Sequence, residues 1–482
     1  FCREHQVVLA VSVSSFHLGA ARLVGTTRTA GGFFRDPAGF VFTHEDTLYR
    51  HVTPQGEPFY RALMDSGLSP HLVERGLLIA HREVEVKTSP GAIAVLQPER
   101  VPFVSFPYEW CFSQLKAAAL ATLDIQAAAM EHGCSLRDAS AYNIQFVGTR
   151  PLLIDTLSFE PLPQGRPWVA YRQFCQHFLA PLALMSLVDV RLAGLLPTHL
   201  DGLPLNLAAR LLPGRSKLRG GLLLHLHQHA RSQQRHAGTG ASQDSTGGKF
   251  SQQALQGLIE SLRKTVARLD VQPEGSTWVN YYAGDSYTED ALAHKERLVA
   301  SVLDERQPKT VWDLGANMGR YARLAAERGA TALAIEGDPV AVEAGWRHEA
   351  DAPTGRMLHL VADLGNPSPA LGWAHAERES LTQRGPADLV LALALVHHLA
   401  IAGNVPLGRV AAWFAELSRE VLVEFVPKSD PKVEGLLASR EDVFADYSPA
   451  GFESAFDAHF TRVDRFDIPG SDRALYHYRR GD

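Results

Sequence analysis

Between residues 310 and 426 the chain alternates short apolar runs with helical periodicity, and that alternation confines it to very few folds. The runs read "TVWDLG", "ATALAIEG", "MLHLVAD", "ADLVLALAL" and "EVLVEFV". Each is almost continuously apolar, which suits a strand buried on both faces. Parallel strands also need a crossover between them, and a helix supplies it. The ending "TRVDRFDIPGSDRALYHYRR" sets two further runs about a Pro-Gly turn, which predicts an antiparallel hairpin at the sheet edge. Five parallel strands closed by a hairpin differ from the six-stranded dinucleotide arrangement. The expected fold is α/β.

At 482 residues the chain is long enough for roughly two to four domains. A net charge of -6 gives no global electrostatic reason to bind nucleic acid or anionic membrane. Cys2, Cys111, Cys134 and Cys175 form no CxxC pair. That argues against a zinc site or a disulfide framework and predicts a cytoplasmic protein. The longest apolar stretch, around 178–188, contains Pro181 and is too short to span a bilayer, so no membrane insertion is expected. The segment 231–250, "RSQQRHAGTGASQDSTGGKF", has too few large apolar residues to offset its ordering entropy and reads as a linker. The expected layout is an N-terminal extension at 1–32, an α+β domain with a helical end at 33–230, that linker, and the α/β domain at 251–482.

The turn after the first run carries the chemistry. Asp313 closes the run, Gly315 and Gly319 bracket the turn, and Asn317, which tolerates left-handed backbone, stands between them. The spacing is not G-x-G-x-x-G, and no Lys-Ser or Lys-Thr follows to hold a triphosphate. Glu336 ends the second run, where a carboxylate accepts ribose hydroxyl protons, and Asp363 ends the third, where an acid meets an adenine amino group.

On these motifs, residues 300–482 resemble a class I S-adenosylmethionine (SAM)-dependent methyltransferase with a Rossmann-like sheet. The resemblance implies that Asp313, Gly315 and Gly319 lie against the methionine part of SAM, Glu336 on the ribose and Asp363 near the adenine. Asn317, a further cofactor-binding candidate in the same turn, stands where the family more usually has glycine. "ADLVLALALVHHL" resembles the motif that faces the transferred methyl. His397 and His398 follow it and are the candidate bases, with an ordinary histidine pKa placing any loss of turnover below about pH 6.5. The alternative is that one packs and the other caps the next helix. Glu424 on the fifth run is a candidate substrate ligand or a backbone acceptor, and Tyr281 and Tyr282 a candidate lid.

The first half holds a second constellation. In "SLRDASAYNIQFVGTRPLLIDTLSF", Asp138 and Asn143 are followed by Asp155 at the end of an apolar run. The layout resembles the catalytic segment of protein-kinase-like folds, which include aminoglycoside phosphotransferases. It implies Asp138 as the base and Asn143 with Asp155 as magnesium ligands for Mg-ATP. Two features depart from that pattern: there is no glycine-rich loop, and Arg50 stands where a lysine is expected. Taken together, residues of roughly 33–482 resemble nodulation-associated methyltransferases of the NoeA type. That resemblance implies methyl transfer, and the leading expectation for the acceptor is a hydroxyl or amine of a small molecule or glycan precursor. A fused phosphotransferase–methyltransferase and a non-catalytic binding protein are the other two expectations.

Overall fold

The computed structural model describes residues 28–29, 35–86, 91–228, 250–272, 288–438 and 440–481. The Tyr281–Tyr282 lid, most of the 1–32 extension and the linker up to 249 lie outside the described residues. The chain forms two compact units, one of residues 1–57 with 81–98, the other of 58–80 with 99–482.

The first unit is a five-stranded sheet in which every neighbouring pair is antiparallel. Its strands are β1 (Arg28–Thr29), β2 (Gly39–His44), β3 (Thr47–Val52), β4 (His81–Glu83) and β5 (Ala94–Pro98), in the order β1-β2-β3-β5-β4. The hairpin expected from "GFVFTHEDTLYRHV" is β2–β3, turned by Glu45 and Asp46 at positive φ. Arg50 is buried on β3. Helices α1 (Glu57–Asp65) and α2 (Leu68–Glu74) stand between β3 and β4 in the chain.

In the second unit, the alanine-rich run forms α3 (Phe112–Glu131) and stops at Gly133, whose φ of 70° no β-carbon obstructs. Small side chains let α3 bury residues on nearly every face, so it lacks a polar stripe. After it come β6 (Cys134–Leu136), the hairpin β7 (Ile144–Val147) and β8 (Arg150–Leu153), and β9 (Phe159–Pro161), which pairs with β6. The apolar stretch near 178 is buried rather than membrane-facing and ends in α4 (Ala180–Leu187). Among the described residues, no helix is long and apolar enough to cross a membrane.

α5 (Gln252–Ala267) and α6 (Glu289–Arg306) precede the seven-stranded sheet. Its strands are β10 (Thr310–Leu314), β11 (Thr331–Glu336), β12 (Met357–Val361), β13 (Ala387–Ala392), β14 (Ser418–Phe425), β15 (Thr461–Asp467) and β16 (Ala474–Arg479). Their order is β12-β11-β10-β13-β14-β16-β15. The first five are parallel, and β16 runs antiparallel to both β14 and β15, as the run pattern predicts. Helices α7 (Arg320–Glu327), α8 (Pro339–Asp351), α9 (Leu407–Leu417), α10 (Pro431–Leu437) and α11 (Pro449–Asp457) complete the unit. α3 packs against α5 and α8, and one apolar core runs from Leu63 to Tyr478. Arg384, from the loop before β13, pairs in this core with Glu109 just ahead of α3.

Candidate active site

The β10–α7 turn is left-handed at Gly315 (φ 72°), Asn317 (φ 53°) and Gly319 (φ 85°). Asn317 bears that backbone because its Oδ1 accepts the Met318 N–H at 2.8 Å. A β-carbon on Gly315 would lie 3.2 Å from Leu395 Cδ1, so the turn abuts the end of β13. At Gly319 a β-carbon would run into Met357 and His359 beneath the sheet's first helix. The family resemblance sets both glycines against the cofactor; Gly319 is needed at least as much for helix-on-sheet packing.

Asp313 is almost fully enclosed, and its Oδ2 accepts the Ala322 N–H in the first turn of α7 at 3.1 Å. Burial pushes its carboxyl up to about 7, against the pull of that N–H and of the Lys295 ammonium. Glu336 accepts from Asn317 N–H at 3.0 Å and Asp338 N–H at 2.9 Å, tying the turn to the end of β11. Burial raises its pKa and the backbone donors oppose the rise. Asp363, past β12, is exposed and accepts the Gly365 N–H at 2.8 Å. All three acids thus stand at the carboxyl ends of adjacent strands.

His397 and His398 follow β13 with ring centroids 4.2 Å apart. His397 is fully buried, and neither ring nitrogen has a hydrogen-bond partner among the described residues. Burial, then His398, Arg473 and Lys295, push it down to about 2, so it is neutral throughout the physiological range. This corrects the ordinary-pKa expectation, and the cause is burial beside the Arg473 and Lys295 charges. His398 is lowered in the same direction, chiefly by burial.

Glu424 is also fully buried, and it meets two cationic side chains. Lys295 Nζ donates to its Oε2 at 2.6 Å, and Arg473 Nη1 lies 3.7 Å from its Oε1. Arg473 Nε in turn donates to Asp430 Oδ2 at 2.7 Å. Lys295, Arg473 and Asp430 escaped the sequence analysis. For Lys295 a signal existed: it sits on the buried stripe of α6 with Ala291, Val299 and Val302, where a lysine is out of place. Arg473 lies in a hairpin loop and had none.

In the first half, Asp138 and Asn143 lie on the loop between β6 and β7, and the β7–β8 hairpin returns the chain so that Asp155 follows β8 beside them. Ser158 joins two of them: Asn143 Nδ2 donates to its Oγ at 3.2 Å, and its hydroxyl donates to Asp155. Asp138 accepts from Ser140 N–H at 2.9 Å and Gln173 Nε2 at 2.8 Å. Its pKa is raised by burial and by the Asp155 charge, against the Ser140 N–H. Among the described residues, no group of three or more His, Cys, Asp or Glu side chains is set to hold a metal ion.

The strand order, the reversed β16 and the glycine turn on the first strand define a class I methyltransferase fold. It is joined to an α+β half in which β6, a loop, the β7–β8 hairpin and Asp155 follow one another in the order that the kinase-like resemblance leads one to expect. No family model matches the chain. The chain is 36% identical over 462 residues to nodulation protein NoeA of Rhizobium meliloti (strain 1021), covering 94% of this chain and 96% of that protein. It belongs to the NoeA family. Among solved structures it is similar to the bifunctional kinase-methyltransferase WbdD (18% identity, 44% of this chain and 45% of that one, TM-score 0.31). It is also similar to magnesium protoporphyrin IX methyltransferase (ChlM) of Synechocystis PCC 6803 (19%, 42% and 93%, TM-score 0.30). Likenesses this loose carry no argument, and the fold rests on its own strand order.

Proposed function

We propose that the protein is a SAM-dependent methyltransferase acting on a hydroxyl or amine of a small molecule or glycan precursor, in the cytoplasm. The observation that carries this reading is the left-handed turn at the β10 end, flanked by acids at the ends of β11 and β12. The residues suit the group. Glu336 is fixed by two backbone donors and keeps lone pairs for ribose hydroxyls, and Asp363 is exposed for an adenine amine. Asp313 supplies the negative charge beside the methionine ammonium. When bound, SAM supplies a methyl on a sulfonium, so the leaving thioether needs no proton.

The chain is left with aligning the acceptor and taking its proton. His397 suits proton removal, because it is neutral, lies two residues beyond the Leu395 that touches the turn, and has both nitrogens unengaged among the described residues. Glu424, ion-paired with Lys295, would act by holding that cation and Arg473 in place near His397. Isothermal titration with SAM tests the cofactor. A labelled-SAM screen of metabolite extracts then finds the acceptor. A flat titration would sink the reading and leave a binding protein.

Ser158, drawing Asn143 and Asp155 together, favours a second reading in which the first half binds Mg-ATP, with Asp138 as base. Titration with Mg-ATP tests it. Asp155→Ala should abolish the signal and leave SAM affinity intact.

A further inference from the structure

One side chain, His359, crowds both Gly319 and Gly345, beside Met357 at the first and the Met318 carbonyl at the second. A β-carbon on Gly319 would lie 3.0 Å from His359 Nε2, and one on Gly345 would lie 2.8 Å from the same atom. His359 projects from β12, is fully buried, and fills the gap between the starting turn of α7 and the middle of α8. Its Nε2 stands 3.5 Å from the Met318 carbonyl, inside the turn that Glu336 and Asp313 flank. Its Nδ1 has no hydrogen-bond partner among the described residues. Burial pushes the ring down to about 4, so it is a neutral wedge.

The backbone behind this wedge is held from the other half of the chain. Gln114, fully buried in the first turn of α3, donates its Nε2–H to the His359 carbonyl at 2.9 Å. Its Oε1 accepts the Cys111 N–H at 3.0 Å, which fixes the amide's direction. One residue earlier, Ser113 N–H donates to Glu343 at 2.9 Å, two positions from Gly345 on α8. The start of α3 therefore grips both β12 and α8, the two elements between which His359 is wedged. A buried amide costs stability unless satisfied, and this one spends its donor on a strand carbonyl under the turn.

We infer that Gln114 and His359 are positioning residues for the β10–α7 turn, so that the kinase-like half sets the geometry of the SAM site. The inference rests on the SAM reading above, and neither residue touches the cofactor. Gln114→Met is close in volume and removes the donor. In Gln114→Glu, the protonated acid still donates to the His359 carbonyl and the ionised acid repels it.

Two readouts separate the brace from the cofactor: SAM affinity by titration, and amide hydrogen exchange across residues 316–319 without SAM. Gln114→Met should weaken SAM about tenfold, the scale of one strained hydrogen-bond network, and speed exchange at the turn. Full burial at this position should raise the new carboxyl well above its ordinary range, so Gln114→Glu should match the wild type at about pH 5.5 and behave like Gln114→Met at about pH 8.5, a pH dependence that lost packing alone would not produce. Faster exchange in a protein whose wild type ignores SAM would uphold the brace and reject the cofactor. Wild-type SAM affinity and turn exchange in both variants would overturn the inference. Should neither variant fold, His359→Leu with the same two readouts decides, since it keeps the volume and drops the contact to Met318.

Discussion

Asp313 holds a carboxylate where almost no water reaches it, and its ionisation should govern cofactor affinity. Its folded pKa, raised to about 7, lies above the ordinary carboxyl value. Proton binding by Asp313 therefore favours the folded chain most fully at low pH, and this contribution is lost as pH rises through about 7. Binding runs the other way, because a ligand ammonium prefers the ionised acid. SAM affinity should climb with pH through about 7, by at most about tenfold per unit for one proton, and Asp313→Asn should flatten the curve in titration calorimetry. His397 behaves oppositely. Its folded pKa is depressed to about 2, so the stability of its neutral burial is present above about pH 6.5 and declines as pH falls toward about 2. A base so weakened works at the low end of the usual range. His397→Gln should cut turnover about 10²-fold, and the wild-type profile should show no histidine limb near pH 6.5. Such a limb, abolished by the substitution, would show that substrate binding restores the ring's ordinary pKa.

At the scale of elements, the chain Lys295–Glu424–Arg473–Asp430 ties α6, β14, the β15–β16 loop and the start of α10. Asp430 is also the N-cap of α10, accepting the Lys432 N–H at 2.9 Å. Removing one charge from such a set strands its partner in a dry site. Lys295→Met should cost about 3–5 kcal/mol in urea denaturation, and adding Glu424→Gln should recover much of it. Equal losses in the single and double variants would mean that packing around α6, not charge, is at stake. The glycine turn has its own element-level check. Gly319→Ala imposes left-handed backbone on a β-carbon, about 1–2 kcal/mol, and overpacks against Met357 and His359, about 1–3 kcal/mol more. A variant of wild-type stability would show that α7 can shift outward freely. The turn was legible because positive φ and close approach are demands that Gly and Asn meet locally. The ion-pair chain was not, because a lysine on a helix ordinarily reads as solvated until its burial is known.

At the scale of the whole molecule, α3 belongs to the same core as the seven-stranded sheet's helices. Leu255, Ile259, Leu262 and Val266 of α5 are buried in that core, and Lys116 of α3 donates to the Leu269 carbonyl at 2.6 Å. Residues 251–482 produced alone would expose this apolar stripe and leave Glu343 without Ser113. That piece should lack near-ultraviolet circular dichroism and aggregate on size exclusion, and co-production with residues 99–228 should restore a native complex. A monomeric, cooperatively melting 251–482 would show that the sheet closes its core without α3.

The order of runs and helices determined the α/β fold with its antiparallel edge, because a strand buried on both faces must be continuously apolar wherever it lies. Local spacing also determined the turn from Asp313 to Gly319, since a tight turn sets its own geometry. Only the tertiary structure decided the charge state of His397 and the partners of Glu424. Lys295 is 129 positions from Glu424, and Gln114 is 245 positions from His359. Burial and electrostatics depend on what the whole chain brings near, and no local window of sequence contains those neighbours.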